Sequence, residues 1–89
     1  SGLKALQYMA LGIPTVASAV GMNFKVIEDG VSGFLVKDDH EWITIIERLI
    51  DDPDLRARVG EASRLRVLNT YSVKVNQPTY LSIFKEVYR

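Results

Sequence analysis

The sequence predicts an α/β fold in which a partial parallel sheet of short strands is flanked by several helices. Apolar segments of strand length alternate with stretches of helical periodicity along the 89 residues. The apolar segments show no regular polar alternation, as expected of strands buried on both faces of a parallel sheet. Only two such segments are evident. Because two strands rarely form an independent sheet, we expect the missing strands to lie upstream.

The first half of the chain contains the signals for both strands. A helix is predicted over Leu3–Leu11, because Gly12 is a helix stop and a proline follows two residues later. The first strand is predicted over Pro14–Ser18 and the second over Gly33–Val36. Between them, Asn23 is expected to cap a single helical turn. Helical segments therefore separate the strands, as connections between parallel strands require.

Three more helices are predicted in the second half. Asp38 or Asp39 is expected to cap the first, which runs to about residue 50. The second covers about residues 53–68, and the third begins at Ser72 and is expected to kink or restart near Pro78. Apolar residues recur at helical spacing in each helix: Trp42, Ile45, Ile46, Leu49 and Ile50 in the first, Leu55, Val59, Ala62 and Leu65 in the second, and Tyr80, Leu81, Phe84, Val87 and Tyr88 in the third.

The composition excludes several classes of protein. With no cysteine and one histidine, the chain cannot form disulfides, supply a thiolate nucleophile or build a multi-histidine metal site. At 47% hydrophobic residues it is too apolar to be disordered. No apolar run approaches the roughly 20 residues of a membrane-spanning helix. Nucleic-acid binding is not expected, because no aromatic residues interleave with Arg56, Arg58, Arg64 and Arg66.

The net charge of the chain is zero, but the charges are unevenly distributed. Residues 1–27 carry a formal charge of +2, residues 28–54 carry −7 and residues 55–89 carry +5. We expect these charges to lie on solvated helix faces, where ion pairs contribute little stability. The alternative is a basic surface that contacts acidic membrane lipid or a partner domain.

The clearest candidate site is the start of the first predicted helix. Gly2, Leu3 and Lys4 would supply unpaired backbone N–H groups, the positive end of the helix dipole and an ammonium group, which favour an anion such as phosphate. Gln7 lies one turn further, on the same face as Lys4. Gly21 follows the first strand, where parallel sheets bind ligands, and is expected either to let the backbone approach a ligand or to take a positive φ. The alternative is an ordinary helix start with a solvated lysine and glutamine, followed by a plain loop glycine.

Longer segments carry a pattern of residues in a fixed order. They read G-L-K-A-L-Q-Y-M-A-L-G-I-P-T-V-A-S-A-V-G-M, then K-V-I-E-D-G-V-S-G-F-L-V, then L-I-D-D-P-D-L-R-A-R-V-G-E-A-S-R and Y-S. Together they resemble the C-terminal, donor-binding domain of retaining glycosyltransferases that have two Rossmann-like domains (the GT-B type). Gln7 replaces the second glutamate of that family's motif, Met22 replaces a glycine and Lys25 replaces a glutamate.

The resemblance implies a Rossmann-like fold and the transfer of a sugar from a nucleoside-diphosphate-sugar to an acceptor, with retention at the anomeric carbon. It implies that Gly2, Leu3 and Lys4 hold the donor diphosphate. It places Gln7 at the ribose hydroxyls and Gly21 beside the donor. We assign no catalytic residue and no metal ligand within the chain. We expect no cofactor either, since the nucleotide-sugar is itself a substrate.

By the same resemblance, residues 1–89 are the C-terminal portion of a donor-binding domain that is incomplete on its N-terminal side. The implied partner is an N-terminal acceptor-binding domain of the same protein. We expect that protein to be cytoplasmic, and contact with the membrane surface is an alternative. We expect the isolated chain to be inactive, and exposed sheet edges make its dimerisation an alternative to a monomer. Two other functions stay open: a nucleotide-sugar epimerase of related fold, and a degenerate nucleotide-binding or scaffold module, which Gln7 and Met22 favour.

Overall fold

The computed structural model of the chain describes residues 2–75, with the side chains of residues 3–70. This part is rich in helix and contains one parallel sheet of two strands, which confirms the predicted α/β class. The elements are α1 (Gly2–Ala10), β1 (Val16–Ser18), α2 (Asn23–Val26), β2 (Phe34–Val36), α3 (Asp39–Asp51) and α4 (Pro53–Val75).

The two strands pair in register, with Val16 opposite Phe34 and Ser18 opposite Val36. Phe34 N–H donates to the Thr15 carbonyl oxygen at 2.9 Å, which ties the start of β2 to the start of β1. The chain between the strands passes through α2 and a turn at Gly30, where φ is +80°. Both strands are three residues long, so the helices supply most of the packing.

Different helices cover the two faces of the sheet, because successive strand residues point to opposite faces. On one face, Ala17 and Leu35 pack against a buried cluster drawn from α1, α2 and the later part of α4. On the other face, Phe34 packs against the start of α4 and against α3. The first cluster contains Ala5, Met9, Val26, Ile27 and Val67, and the second contains Phe34, Leu55 and Val59, with Val16, Ile45 and Leu49 partly buried against it.

The start of α3 shows which of two neighbouring aspartates is the cap. The carboxylate of Asp38 accepts a hydrogen bond from Glu41 N–H at 2.8 Å, and Asp39 is the first helical residue. Arg56 donates to the carbonyl oxygens of Leu49 and Ile50 and so satisfies the last turn of α3. Side chains therefore fix both ends of α3. The aspartate cap at its start was predicted, whereas the arginine at its end was not.

Asn23 does not cap α2, contrary to the prediction. Met22 occupies the cap position and makes no side-chain cap hydrogen bond. Asn23 lies within the helix and is buried, and its Nδ2 donates to the Ser18 carbonyl oxygen at 2.9 Å. A single helical turn is too short to be stable by itself, so contacts with the rest of the protein decide its position.

The predicted break before Ser72 was also wrong. α4 continues without interruption to Val75, because no proline or glycine lies between Glu61 and that residue. The predicted kink near Pro78 and the apolar stripe of residues 80–88 lie outside the described residues.

The predicted apolar faces of α3 and α4 are only partly buried. Ile45 and Leu49 pack against Phe34, whereas Ile46 is 44% exposed and Ile50 68% exposed. Leu65 of α4 is likewise 43% exposed, although it continues the predicted stripe. A sheet of two short strands has a narrow surface, so it buries only part of the apolar face of α3 and of α4.

Candidate functional site

A cleft of about 240 Å³ opens beside β1, between the first turns of α1 and α3. α1 runs back toward the start of β1, so its N-terminus lies at the carboxyl end of the strand, where Lys4 and Ser18 line the same cleft. Ligands of open parallel sheets bind at this end of the strands. The lining residues are Lys4, Ala5, Tyr8, Thr15, Val16, Ala17, Ser18, Asn23 and Trp42.

The start of α1 is electrostatically suited to an anion. The helix begins at Gly2 and has no acidic residue in its first turn, so no carboxylate of its own neutralises the positive end of its dipole. The side chain of Lys4 is exposed at the cleft. Free N–H groups of a first helical turn and one ammonium group are the donors that a phosphate needs. The predicted grouping of Gly2, Leu3 and Lys4 therefore falls in one helical turn.

Gln7 is half-buried and does not line the cleft with Lys4. Its Nε2 atom is buried and has no hydrogen-bond partner among the described residues. Leaving a buried donor unpaired costs about 1–3 kcal/mol, so this amide is a group that gains from a new acceptor. Its predicted contact with a ribose hydroxyl stays a prediction.

Gly21 takes a positive φ of +49°, as one of its two predicted roles requires. It lies in the loop after β1 and is exposed. A β-carbon placed there would meet no atom within 4 Å, so the backbone on that side is open to an approaching group. Gly21 and Leu3 are not among the residues that line the cleft.

Of the nine residues that line the cleft, Lys4 alone was predicted as a site residue, and Asn23 and Trp42 are two that were not. Asn23 is 8% exposed, and its Oδ1 atom is buried without a partner in the described part of the chain. Trp42, which was predicted as part of the apolar face of α3, is half-buried at the cleft wall. In the sequence, Asn23 has the position of a helix cap, and a tryptophan in an apolar stripe usually belongs to the core. Neither residue could therefore be recognised from its sequence neighbours as part of a cleft.

A larger cleft of about 400 Å³ lies at the outer edge of β2, and no predicted site residue lines it. Arg48 lies 5.7 Å from the centre of the Phe34 ring there. Within residues 2–75, no group of three or more histidine, aspartate or glutamate side chains is placed to hold a metal ion. No helix in that range is both long enough and apolar enough to cross a membrane.

Comparison with known proteins identifies the family. A sequence model described as "Glycosyl transferases group 1" matches residues 1–66. A D-inositol 3-phosphate glycosyltransferase of Pseudarthrobacter chlorophenolicus is 39% identical over 71 residues, which cover 78% of this chain. A sucrose synthase of Thermosynechococcus vestitus is 33% identical over 90 residues, covering 94% of this chain. An alpha-D-kanosaminyltransferase of Streptomyces kanamyceticus is 33% identical over 88 residues, covering 97%.

The chain spans a small part of each relative. The matched segment covers 17% of the D-inositol 3-phosphate glycosyltransferase, 11% of the sucrose synthase and 23% of the kanosaminyltransferase. No solved structure matches the chain. The family match nevertheless extends over both strands and the first half of α4, including the start of α1 and the cleft. The chain belongs to the group 1 glycosyl transferases.

Proposed function

We propose that this chain is the donor-binding portion of a cytoplasmic glycosyltransferase, incomplete on its N-terminal side. The longer protein would transfer a sugar from a nucleoside-diphosphate-sugar to an acceptor held by a preceding domain. The observation that carries the proposal is the position of the α1 N-terminus and Lys4, at the carboxyl end of β1 and beside an open cleft. The family match and the length of the relatives support it.

The task of this portion is to stabilise the leaving diphosphate. During transfer, the bond between the anomeric carbon and a diphosphate oxygen breaks and its electrons stay on that oxygen. The acceptor hydroxyl oxygen forms the new bond to the anomeric carbon, and its proton leaves with the departing diphosphate. Backbone N–H groups at Gly2 and Leu3, the α1 dipole and the Lys4 ammonium group stabilise the negative charge as it develops. This assignment needs no catalytic side chain within the chain.

Gln7 and Gly21 hold the rest of the donor in this proposal. The unpaired Nε2 of Gln7 lies one turn along α1 from Lys4 and donates to a ribose hydroxyl oxygen. Gly21 leaves room for the donor to approach the loop after β1. No cofactor is involved, because the nucleotide-sugar brings both the sugar and its leaving group.

Calorimetric titration of the full-length protein with UDP, GDP and ADP tests the proposal. We expect one of them to bind, and Lys4→Ala to weaken its binding about tenfold or more, since a hydrogen bond to a charged group contributes about 1.5–3 kcal/mol. Lys37→Ala is the matched control, because Lys37 is exposed and does not line the cleft. Inorganic phosphate tests the anion site alone.

Equal losses for Lys4→Ala and Lys37→Ala, or no binding of any nucleotide, would contradict the proposal. A sugar-transfer assay with the nucleotide-sugar that corresponds to the bound nucleotide then separates an enzyme from a degenerate module. Binding without transfer to any acceptor would favour the degenerate module, because this chain already has Gln7 where the family's motif has a glutamate. Interconversion of the sugar without its transfer would favour an epimerase.

A further inference from the structure

α3 carries three isoleucines on a face that the described part of the chain leaves exposed. Ile43 is 58% exposed, Ile46 44% and Ile50 68%. They follow one another at steps of three and four residues, so they form one continuous stripe along the helix, the isoleucine face. The other side of α3 packs on the sheet through Ile45 and Leu49. α3 therefore has two apolar faces, and the described residues bury only one of them.

The formation of α3 does not explain the isoleucine face. A β-branched side chain loses rotamer freedom in a helix, so isoleucine forms helices less readily than alanine, glutamate or lysine does. Single exposed apolar residues are common on protein surfaces, whereas a contiguous patch of them marks a surface that binds another molecule. The three isoleucines form such a patch, so they indicate an interaction surface.

At the C-terminal end of α3, the isoleucine face runs into a shallow cleft of about 400 Å³. Ile46, Leu49, Ile50 and Arg56 line this cleft. Arg56 is fixed in place, because its guanidinium donates hydrogen bonds to the carbonyl oxygens of Leu49 and Ile50. The cleft is therefore a preformed hollow for a large apolar side chain of a partner.

Carboxylates border the isoleucine face. Four-residue steps from Ile43 lead to Asp39 in one direction, and to Glu47 and then Asp51 in the other. All three acidic side chains are exposed, and among the described residues none of them forms an ion pair. They belong to residues 28–54, which carry a formal charge of −7. The isoleucine face is thus apolar along its centre and negative along one side.

The same carboxylates decide between possible occupants. If two isoleucine faces met in a dimer, acidic side chains would lie near acidic side chains, and such like-charge contacts oppose association. Acidic lipid and nucleic acid are repelled for the same reason. A partner strand would need the free edge of β2, where Leu35 N–H already donates to Asp29 Oδ1 at 2.9 Å.

We propose that the isoleucine face binds a basic amphipathic helix of a partner polypeptide. The apolar side of that helix packs on Ile43, Ile46 and Ile50, and its lysine or arginine residues contact the bordering carboxylates. Helices pack when the side-chain ridges of one fit the grooves of the other. A partner helix of this kind presents apolar residues at i, i+3, i+4 and i+7. Burial of the isoleucines supplies most of the affinity, and the charges orient the encounter.

This surface lies outside the donor site of the proposed function. None of the three isoleucines lines the cleft that contains Lys4, and helix binding to them requires no nucleotide. Replacing Ile46 and Ile50 with serine should therefore weaken partner binding and leave nucleotide binding unchanged. Lys4→Ala should have the opposite effects, so the two proposals fail separately.

A helical peptide of about 18 residues, made of leucine and lysine only and with leucines at i, i+3, i+4 and i+7, is the probe. Its fluorescence anisotropy is measured during titration with the full-length protein. We expect saturable binding that becomes at least about tenfold weaker in the double variant Ile46→Ser/Ile50→Ser, because apolar burial is lost. The matched control is Leu65→Ser/Leu68→Ser, since these leucines of α4 are exposed to a similar degree. It should change the affinity by less than about twofold.

A second pair of variants tests the bordering charges. Glu47→Gln/Asp51→Asn keeps the size of both side chains and removes two negative charges. We expect this variant to bind the peptide about 3–10-fold more weakly at low salt, with a smaller difference at high salt. Glu28→Gln/Glu61→Gln is the control, because it removes the same charge from exposed positions outside α3. A peptide with glutamate in place of lysine should not bind.

The inference is overturned if the lysine peptide does not bind the full-length protein, or if the glutamate peptide binds equally well. Equal losses for the isoleucine variant and the leucine control would also overturn it, because the peptide would then bind elsewhere. Sedimentation gives the last outcome. A dimer of the full-length protein that Ile46→Ser/Ile50→Ser dissociates would assign the isoleucine face to a second copy and reject a separate partner.

Discussion

Gly60 of α4 lies directly against the carbonyl oxygen of Gly12, in the turn that joins α1 to β1. The contact leaves no room for a β-carbon on Gly60, so helix and turn meet through their backbones. Gly12 adopts a φ of +72°, which lets the chain leave α1 and turn toward the sheet. This contact fixes α4 against the turn between α1 and β1, the two elements that line the cleft.

Replacing Gly60 with alanine should destabilise the protein. In an exposed helix the same change is favourable by about 1 kcal/mol, but here the added methyl group would overlap the Gly12 backbone. We expect a net loss of about 1–3 kcal/mol in the free energy of unfolding, measured by urea denaturation. Gly30→Ala is the comparison, because Gly30 has open space and a positive φ and so reports backbone strain alone. A Gly60→Ala variant as stable as the natural chain would contradict the close contact.

The hydroxyl of Ser63 ties α4 to the loop before β2. Ser63 is fully buried, and its Oγ lies 2.6 Å from the Ser32 carbonyl oxygen and 2.8 Å from that of Val59. Ser63→Ala leaves the Ser32 oxygen without its donor, so we expect a loss of about 1–3 kcal/mol in unfolding free energy. Ser18→Ala, on an exposed side chain, should change it by less than about 0.5 kcal/mol. Comparable effects of the two substitutions would argue against the buried hydrogen bond.

The substitution Gln7→Glu tests the ribose contact. In this contact the ribose hydroxyl accepts from the Gln7 amide but can donate to a carboxylate instead. A hydrogen bond to a charged group is roughly twice as strong as a neutral one, so we expect the full-length variant to bind its nucleoside diphosphate about 3–10-fold more tightly. The gain should vanish with the 2′,3′-dideoxy form of the same nucleotide, which lacks the hydroxyls. Calorimetry measures both affinities. An equal gain for the two nucleotides would mean that Gln7 does not contact the ribose.

The exposed pair Glu61–Arg64 predicts a small pH dependence of stability. The hydrogen bond from Arg64, at 2.7 Å, lowers the pKa of the Glu61 carboxyl, against a smaller opposing effect of burial. Because the folded chain then holds the proton less tightly than the unfolded chain, the pair stabilises at neutral pH, and the effect is lost as pH falls through that pKa. Glu61→Gln should therefore be slightly less stable than the natural chain near neutral pH, with the difference fading in acid. A difference that is constant with pH would contradict this.

Elements defined by local chemistry were predictable from the sequence. Gly12 ends α1, Asp38 caps α3 and Pro53 begins α4, each within two residues of the predicted boundary. These residues act through their own backbone or through neighbours a few positions away, so the sequence contains the whole cause. The α/β class followed from the same signals, because short apolar strands between helices have few other arrangements.

Features that depend on distant contacts were not predictable. Asn23 has the sequence position of a cap, but its Nδ2 bonds to Ser18 five residues earlier and its side chain is buried against the sheet. Ile46 and Ile50 fit an apolar stripe, yet the narrow sheet leaves them exposed. In the candidate site, the start of α1 and the positive φ of Gly21 could be predicted, whereas the parts played by Asn23 and Trp42 appear only once the elements are packed.

The most direct test of the proposed donor site is an amide NMR titration of the full-length protein, isotope-labelled in this segment, with the nucleoside diphosphate that it binds. We predict saturable shifts at Gly2, Leu3 and Lys4, with a second group at Gly21, and weaker shifts at the same amides with inorganic phosphate. Shifts confined to the cleft at the outer edge of β2, around Arg48 and Asp29, would contradict the proposed donor site, because they would place the nucleotide away from Lys4 and the start of α1.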